Sequence, residues 1–136
     1  MFVNNHEHSI DDKGRMVLPA DIRNALEGGC YVVAQPGGCL AIFPRESFNE
    51  AAARIKERQR NGEISDLQFR AFFGSANEVV PDKQGRIPLT QSQRTYAKLD
   101  RNVMVVGVWE HIEIWDAATW ATNNEIGEQE LALSSL

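Results

Sequence analysis

Few residues of this 136-residue chain are suited to covalent or metal chemistry. Two of the three histidines, His6 and His8, flank Glu7, so on an extended segment both imidazoles would lie on one side. Two imidazoles can begin a metal site, but no third ligand follows nearby, and we predict neither a metal nor a cofactor. We expect His6 and His8 to lie in a mobile N-terminal segment, and His111 to be exposed at a hairpin turn.

No arrangement of nucleophile, base and orienting group is recognisable in the sequence. There is no Ser-His-Asp or Cys-His signature and no glycine-rich phosphate loop. Cys30 and Cys39 fit two inert, partly buried thiols, because a cytosolic chain of this size does not need a disulfide. Asp11 and Asp82 resemble a pair of acid-base carboxylates, but each has an arginine four residues on, which favours a turn-stabilising ion pair. We predict no enzymatic activity and no small-molecule substrate.

One five-residue pattern occurs twice and indicates a different chemistry. Asp11-Asp12-Lys13-Gly14-Arg15 is repeated 71 positions later as Asp82-Lys83-Gln84-Gly85-Arg86. A guanidinium binds a phosphate or a guanine edge bidentately, so two equivalent arginines behind glycine turns suit nucleic acid. Alternatively, both arginines serve only the turns, through ion pairs with Asp11 and Asp82.

The repetition extends beyond this pattern and indicates a duplicated unit. After one inserted residue, Tyr31–Ala34 aligns with Val103–Val106, and Leu40–Phe43 aligns with Ile112–Trp115. Such agreement, in order over roughly 40 residues, is the mark of an internal repeat. A unit of about 45 residues is too small to bury a core alone, so we predict that the two repeats share one core in a pseudo-two-fold β-barrel.

The elements of each repeat follow from turn signals and apolar periodicity. In each repeat these signals predict a glycine turn, a short apolar strand, a short helix (20–26 or 91–99) and a β-hairpin. Two further helices are predicted between the repeats, over 47–60 and 65–73, and a last one over 117–133. The fold class is α+β, mainly β with short helices. We divide the chain into repeat 1 (5–47), a helical linker (48–75), repeat 2 (76–119) and a C-terminal helix and tail (120–136).

The net charge of −5 is unevenly distributed along the chain. Residues 1–101 hold all 14 lysines and arginines against 13 acids, whereas residues 102–136 hold six acids and no cation. The overall acidity therefore does not exclude a basic surface in the first part of the chain. The N-terminus has no basic region followed by an apolar stretch, so we expect no signal peptide, a cytoplasmic protein and no membrane partner.

Asp11–Pro19, followed by Arg23 in the next predicted helix, resembles the signature of the SpoVT–AbrB family of DNA-binding domains. Two copies joined by a helical segment in a chain of this length resemble the MraZ family of bacterial transcriptional regulators, as do Phe73–Ala76 and Ile114–Asp116. The resemblance implies a swapped-hairpin barrel, a ring-shaped homo-oligomer, nucleoid association, and binding to short direct repeats of double-stranded DNA upstream of the division and cell-wall gene cluster.

The resemblance also assigns roles to individual residues. The predicted DNA-binding residues are Arg15, Arg86, Lys13, Arg23, Lys83 and Arg94, and the predicted turn-stabilising residues are Asp11, Gly14, Asp82 and Gly85. The second repeat departs from the first, with Gln84 in the place of Lys13 and Thr90 in the place of Pro19. Val79 stands where the family commonly has a cysteine. Repeat 2 is therefore expected to contribute less to DNA binding than repeat 1.

A second function class stays open from the sequence. The same type of domain serves as an antitoxin-like protein-interaction or oligomerisation module without DNA binding. The acidic C-terminal part and the aromatic residues suit that alternative. The small size of each unit and a surplus of aromatic residues also predict a homo-oligomer larger than a dimer. The aromatic residues counted as surplus for this purpose are Phe43, Phe69, Phe72, Phe73, Trp109, Trp115 and Trp120.

Overall fold

The computed structural model of the chain describes residues 1–136. Its strands are β1 (Asn5–Ser9), β2 (Arg15–Val17), β3 (Cys30–Gln35), β4 (Cys39–Pro44), β5 (Asn77–Val79), β6 (Arg86–Pro88), β7 (Asn102–Val108) and β8 (His111–Asp116). Its helices are α1 (Ala20–Arg23), α2 (Arg45–Arg60), α3 (Asp66–Ser75), α4 (Gln91–Tyr96) and α5 (Ala117–Leu133). The predicted α+β class is confirmed, with 41% of residues in helices and 31% in strands.

The strands of the two repeats are interleaved. One antiparallel sheet has the order β1-β7-β8-β4-β3-β5, and β2 pairs with β6 in a separate two-stranded ribbon. The first strand of each repeat therefore pairs with the hairpin of the other repeat, β1 with β7 and β5 with β3. A bridge between Ile10 and Met16 joins the ribbon to the β1 edge of the sheet. The expected exchange of hairpins between the repeats is present.

Two strand pairs mark the pseudo-two-fold axis. Met16 lies opposite Ile87 at the centre of the β2–β6 ladder, and these two residues are equivalent in the two repeats. Ala41 lies opposite Glu113 at the centre of the β4–β8 ladder, and they are again equivalent. Antiparallel pairing of equivalent residues is the pattern that a local two-fold axis produces.

The hairpin register corrects one detail of the repeat alignment. With β4 matched to β8, the β3–β4 and β7–β8 pairings make Cys30, and not Tyr31, the equivalent of Val103. Both positions are buried, and the buried and half-buried residues then alternate in step along the two strands. The sequence alignment was one residue out because the first hairpin has a three-residue loop and the second a two-residue loop.

The main core lies between the ribbon and the six-stranded sheet. Its 18 buried residues come from both repeats and from nearly every strand. Met16 and Leu18 from repeat 1 meet Ile87 and Leu89 from repeat 2 on the inner side of the ribbon, and each is almost inaccessible to solvent. Burial of one such side chain contributes about 1.5–3 kcal/mol. Neither repeat contains a complete core of its own.

A second cluster covers the outer face of β3 and β4. Phe48 of α2 packs between Tyr31 and Phe72, and its ring lies 4.4 Å from that of Tyr31. Phe43 and Phe72 are buried in this cluster. Counting these two residues among the surplus aromatics was therefore wrong, because both are buried where α2 and α3 pack on β3 and β4.

The predicted helices are close to those observed. Residues 47–60 and 65–73 correspond to α2 and α3, the latter capped by Ser65, and 117–133 coincides with α5. The first predicted helix, 20–26, divides into α1 and a 3-10 turn over Asn24–Leu26. The helix predicted over 91–99 ends earlier, at Tyr96.

Three expectations about histidine and cysteine can be compared with the structure. His6 and His8 do share one side, with ring centroids 6.4 Å apart, but they are not mobile, because β1 is hydrogen-bonded to β7. His111 is not exposed: its side chain is only 16% accessible and its ring stacks on Phe43. Cys30 and Cys39 are free thiols, and burial raises the pKa of each to about 12.

Candidate nucleic-acid interface

Each Asp-x-x-Gly-Arg turn is organised by its aspartate. Asp11 Oδ1 accepts hydrogen bonds from the backbone N–H groups of Lys13 and Arg15, both at 2.9 Å, and Oδ2 accepts from Arg15 Nε at 2.9 Å. Asp82 accepts the equivalent three bonds, with Arg86 Nε at 2.7 Å. Each carboxylate therefore does two things: one oxygen closes the turn, and the other holds the Nε of the arginine.

Both aspartates are held in their charged form. The backbone N–H of Arg15 lowers the pKa of the Asp11 carboxyl below its usual range, and the backbone N–H of Lys13 and the Arg15 side chain act in the same direction. The backbone and side chain of Arg86 likewise lower the pKa of Asp82. Hydrogen bonds donated to a carboxylate favour its ionised form. The ion pairs are therefore complete at neutral pH.

The glycines give the turns their left-handed backbone. Gly14 has φ of 77° and Gly85 has φ of 76°, a region that residues with a Cβ rarely occupy. The carbonyl of Gly14 accepts from the backbone N–H of Leu89 at 2.9 Å, and that of Gly85 accepts from Leu18 at 2.8 Å. Each turn is thereby tied to the end of the ribbon strand from the other repeat.

The ribbon brings the two repeated arginines onto one surface. Met16 and Ile87 point into the core, and side chains alternate along a strand, so Arg15 and Arg86 point outward on the opposite face. Val17 lies directly opposite Arg86, which places the two arginines diagonally across the ribbon. Their side chains are 31% and 30% accessible.

The ion pairs leave part of each guanidinium free. In both arginines the bond to aspartate uses Nε, and the two terminal nitrogens make no hydrogen bond within the chain. The ion pair therefore does not occupy the whole side chain: Nε stabilises the turn while the outer edge faces solvent. A guanidinium presented in this way can donate two parallel hydrogen bonds to one acceptor group.

Arg23 and Arg94 occupy a different place from the ribbon arginines. The guanidinium of Arg94 lies directly over Gly14 and that of Arg23 over Gly85, so close that a Cβ on either glycine would overlap it. Each also donates to the carbonyl of the leucine that follows its own ribbon strand. These two arginines therefore pack against the turn of the opposite repeat, half-buried beside the surface that carries Arg15 and Arg86.

The lysines complete a locally basic surface. Lys13 and Lys83 are both exposed in the turns. They are not equivalent, since Gln84 takes the position of Lys13 and Asp12 that of Lys83. The segments 11–23 and 82–94 together hold six cations, Lys13, Arg15, Arg23, Lys83, Arg86 and Arg94, against four acids, Asp11, Asp12, Asp21 and Asp82.

The sequence of this chain matches one family over almost its whole length. The family described as "MraZ protein, putative antitoxin-like" matches residues 1–69 and 72–132. The chain belongs to the MraZ family. The protein named transcriptional regulator MraZ from Salinispora tropica is 37% identical over 132 residues, which cover 97% of this chain and 93% of the relative. The transcriptional regulator MraZ of Clavibacter michiganensis is 40% identical over 88% of this chain and 84% of its own length. That of Mycobacterium tuberculosis is 36% identical over 99% of this chain and 94% of its own length.

One positioning residue of this MraZ-family chain was missed in the sequence. Gln93 is 2% accessible, and its amide nitrogen donates to the carbonyls of Val32 at 3.0 Å and Ser75 at 2.9 Å. It also closes a capping box with Thr90 at the start of α4. Because Arg94 is the next residue, Gln93 fixes the place from which that arginine reaches Gly14. The Thr-x-x-Gln spacing was the available signal.

The structure shows no group of three or more His, Cys, Asp or Glu side chains that could hold a metal ion. No helix is both long enough and apolar enough to span a membrane.

Proposed function

We propose that this chain is a sequence-specific DNA-binding transcriptional regulator of the MraZ type, without catalytic activity. It binds short direct repeats upstream of the division and cell-wall gene cluster, in the cytoplasm and in association with the nucleoid. The observation that carries this proposal is the pair of arginines, Arg15 and Arg86, that the ribbon presents outward with unbonded terminal nitrogens. The relatives' name, transcriptional regulator MraZ, supports the same function.

The outer edges of the two guanidiniums donate to a guanine edge or to phosphates of one DNA groove. Lys13 and Lys83 extend the contact to flanking phosphates, and Arg23 and Arg94 keep the two turns in place while adding positive charge. Phosphate contacts supply most of the affinity, and base contacts supply the sequence preference. The aspartates do not repel the DNA strongly, because each carboxylate is already neutralised by its arginine and two backbone N–H groups.

One chain offers too few cations for tight binding, so the active form is a homo-oligomeric ring. Several chains along one duplex raise the effective concentration of each contact. Neighbouring chains then meet the same side of the DNA when the repeats are spaced by about one helical turn, roughly 10 base pairs.

A mobility shift with the DNA upstream of the gene, at several salt concentrations, tests the proposal. We expect a specific complex that weakens steeply as salt rises, because bound phosphates release counterions. Replacement of Arg15 by alanine should abolish the shift, whereas Arg70→Ala, which removes an exposed cation of α3, should leave it unchanged. Equal binding by the wild type and the Arg15 variant would contradict the proposal.

A protein-interaction module without DNA binding is the second candidate. The exposed acidic helix α5 favours it, as does the antitoxin-like description of the family. A stoichiometric complex with another protein, together with no DNA shift at low salt, would establish this alternative.

A further inference from the structure

Helix α5 is only partly supported by its own chain. It packs on β7 and β8 through Ala117, Trp120 and Asn124, which are half-buried, and none of its residues is fully buried. From Glu125 to the C-terminus every residue is exposed. The second half of the helix therefore extends beyond the sheet that supports the first half.

The sequence of this second half does not favour an isolated helix. Gly127 lies in its interior, where glycine costs about 1 kcal/mol relative to alanine. Glu128 and Glu130 lie near the C-terminal end, where the helix dipole disfavours negative charge, and the last turn contains no basic residue. Helical segments of this kind are normally stabilised by packing against a partner.

Two exposed apolar residues, Ile126 and Leu133, lie on the side of this half that faces away from the sheet. Ile126, Glu130 and Leu133 follow the i, i+4, i+7 spacing of a single helix face. The half-buried residues Trp120 and Asn124 lie on the opposite side of the helix by the same periodicity. Ile126 and Leu133 are about 10 Å apart along the axis, with one carboxylate between them.

A groove with complementary properties lies between α2 and α3. Ile55 and Arg58 of α2, Ile64 of the connection and Ala71 of α3 line it. Leu67, one turn before Ala71 on α3, is 74% accessible. The last two turns of α2 carry four cations, Arg54, Lys56, Arg58 and Arg60, against one acid, Glu57. Arg54 and Arg60 are paired with Glu110 and Glu57, whereas Arg58, which lines the groove, makes no ion pair within the chain. The groove is therefore apolar at its base and carries one unpaired cation, Arg58, at its α2 rim.

We propose that the second half of α5 docks into the α2–α3 groove of a second copy of the chain. Ile126 and Leu133 enter the apolar base, and Glu130 pairs with Arg58 at the rim. The acidic helix, which has no cation in its own part of the chain, thereby places a carboxylate beside the unpaired cation of the groove. The proposal rests on the assembly part of the proposed function, whereas the DNA contacts of Arg15 and Arg86 are tested separately.

The contact joins two different surfaces of the chain. α5 lies on β7 and β8, whereas the groove lies beside β3 and Tyr96, so every copy has one helix to donate and one groove to fill. Head-to-tail contacts of this type form closed rings when the rotation between copies closes, and open filaments when it does not.

Charge reversal on each side of the contact tests it in the full-length protein. We expect Glu130→Arg and Arg58→Glu each to reduce the particle mass, measured by light scattering at low salt, to that of one chain. An equimolar mixture of the two variants should recover the wild-type mass, because the new arginine of one copy meets the new glutamate of the next. Glu50→Arg, an exposed acid elsewhere on α2, should keep the wild-type mass.

Circular dichroism shows whether each variant is folded. A double variant, Ile126→Ser with Leu133→Ser, removes the apolar half of the contact without changing the charge. This double variant should also give a single-chain mass. The proposal is overturned if the wild type is a single chain, if the folded variants keep the wild-type mass, or if the mixture stays dissociated. It is also overturned if Arg58→Glu loses DNA binding at unchanged mass, because α2 would then be a DNA contact. In each case the effect of Arg15→Ala on DNA binding is a separate result.

Discussion

At the scale of single atoms, the guanidinium of Arg15 divides between a turn contact and the DNA contact that we propose. Its Nε belongs to the turn and its terminal nitrogens belong to the proposed DNA contact. Arg15→Ala removes both, and we expect a loss of about 1–3 kcal/mol of binding free energy for each contact, multiplied over the bound copies of a ring. Arg86→Ala should have a smaller effect, because Gln84 replaces the second cation of that turn.

The measurement for these arginines pairs DNA affinity with thermal melting. A surface ion pair such as Arg15–Asp11 contributes only about 0–1 kcal/mol, so the melting temperature should stay near that of the wild type. Arg15→Lys should also lose most of the affinity, since an ammonium cannot present two parallel donors. A large drop in melting temperature with affinity lost in proportion would mean that the arginine serves the turn alone.

Gly14 is required both for its backbone conformation and for the space it leaves. A Cβ at this position would adopt an unfavourable φ and overlap the Arg94 guanidinium. We expect Gly14→Ala to destabilise the fold by about 1–3 kcal/mol, measured by denaturant unfolding. Gly28→Ala is the matched control, because nothing lies within 4 Å of its added Cβ and its φ is ordinary. Equal stability of the two variants would mean that the packing of Arg94 over the turn is not needed.

The two aspartates predict a defined acid response of the turns. Because the folded state lowers the pKa of Asp11 and Asp82, their contribution to stability is present above the pKa of the unfolded chain, about 3.9. It is lost as the pH falls through the lower folded values. Carboxyl NMR titrations should give midpoints below 3.9 for both residues. In Arg15→Ala the midpoint of Asp11 should rise only in part, since two backbone donors remain. A midpoint for Asp11 at the ordinary value in the wild type would contradict the hydrogen-bonded turn.

At the scale of the elements, α4 depends on a single buried amide. Gln93 caps the helix and also ties it to β3 and to the end of α3. Its replacement by alanine removes one hydrogen-bond partner from the buried Val32 carbonyl and one from the half-buried Ser75 carbonyl, which typically costs about 1–3 kcal/mol. Gln68→Ala removes the equivalent cap of α3 at an exposed site and should cost about 1 kcal/mol or less. If both variants unfold at the same denaturant concentration, the hydrogen bonds from Gln93 to β3 and α3 add nothing to the stability of the fold.

The elements also show which parts of the structure the sequence could reveal. Capping residues and apolar spacing predicted α2, α3 and α5 within two residues, because these signals are local. The sequence alignment of β3 with its equivalent strand β7 was one residue out. Valine-rich strands align almost equally well when shifted by one residue, and the two hairpin loops differ in length. The contact of Arg23 with Gly85 was not predictable, because it joins residues from different repeats. The β1 strand was missed because its partner, β7, lies even farther away in the sequence.

At the scale of the whole molecule, the interleaving of the repeats has a consequence for folding. Each repeat supplies an outer strand that pairs with the hairpin of the other, and the ribbon needs one strand from each. Residues 1–75 alone would leave β1 and β4 without the strands of the other repeat that hydrogen-bond to them. Residues 76–136 alone would leave β5 and β8 in the same state. We therefore expect the two pieces, expressed separately, to lack cooperative unfolding transitions.

Mixing the two pieces should restore one cooperative transition, the sheet signal in circular dichroism and binding to the upstream DNA. The reason is that 18 core residues become buried only when both pieces contribute, which converts two incomplete cores into one. A mixture in which residues 76–136 carry Ile87→Ala should need higher concentrations to associate, because this side chain lies at the centre of the ribbon opposite Met16. Removal of such a buried side chain costs about 2–5 kcal/mol. A cooperative melt from either piece alone would show that one repeat can complete a core by itself, for example by pairing with its own copy.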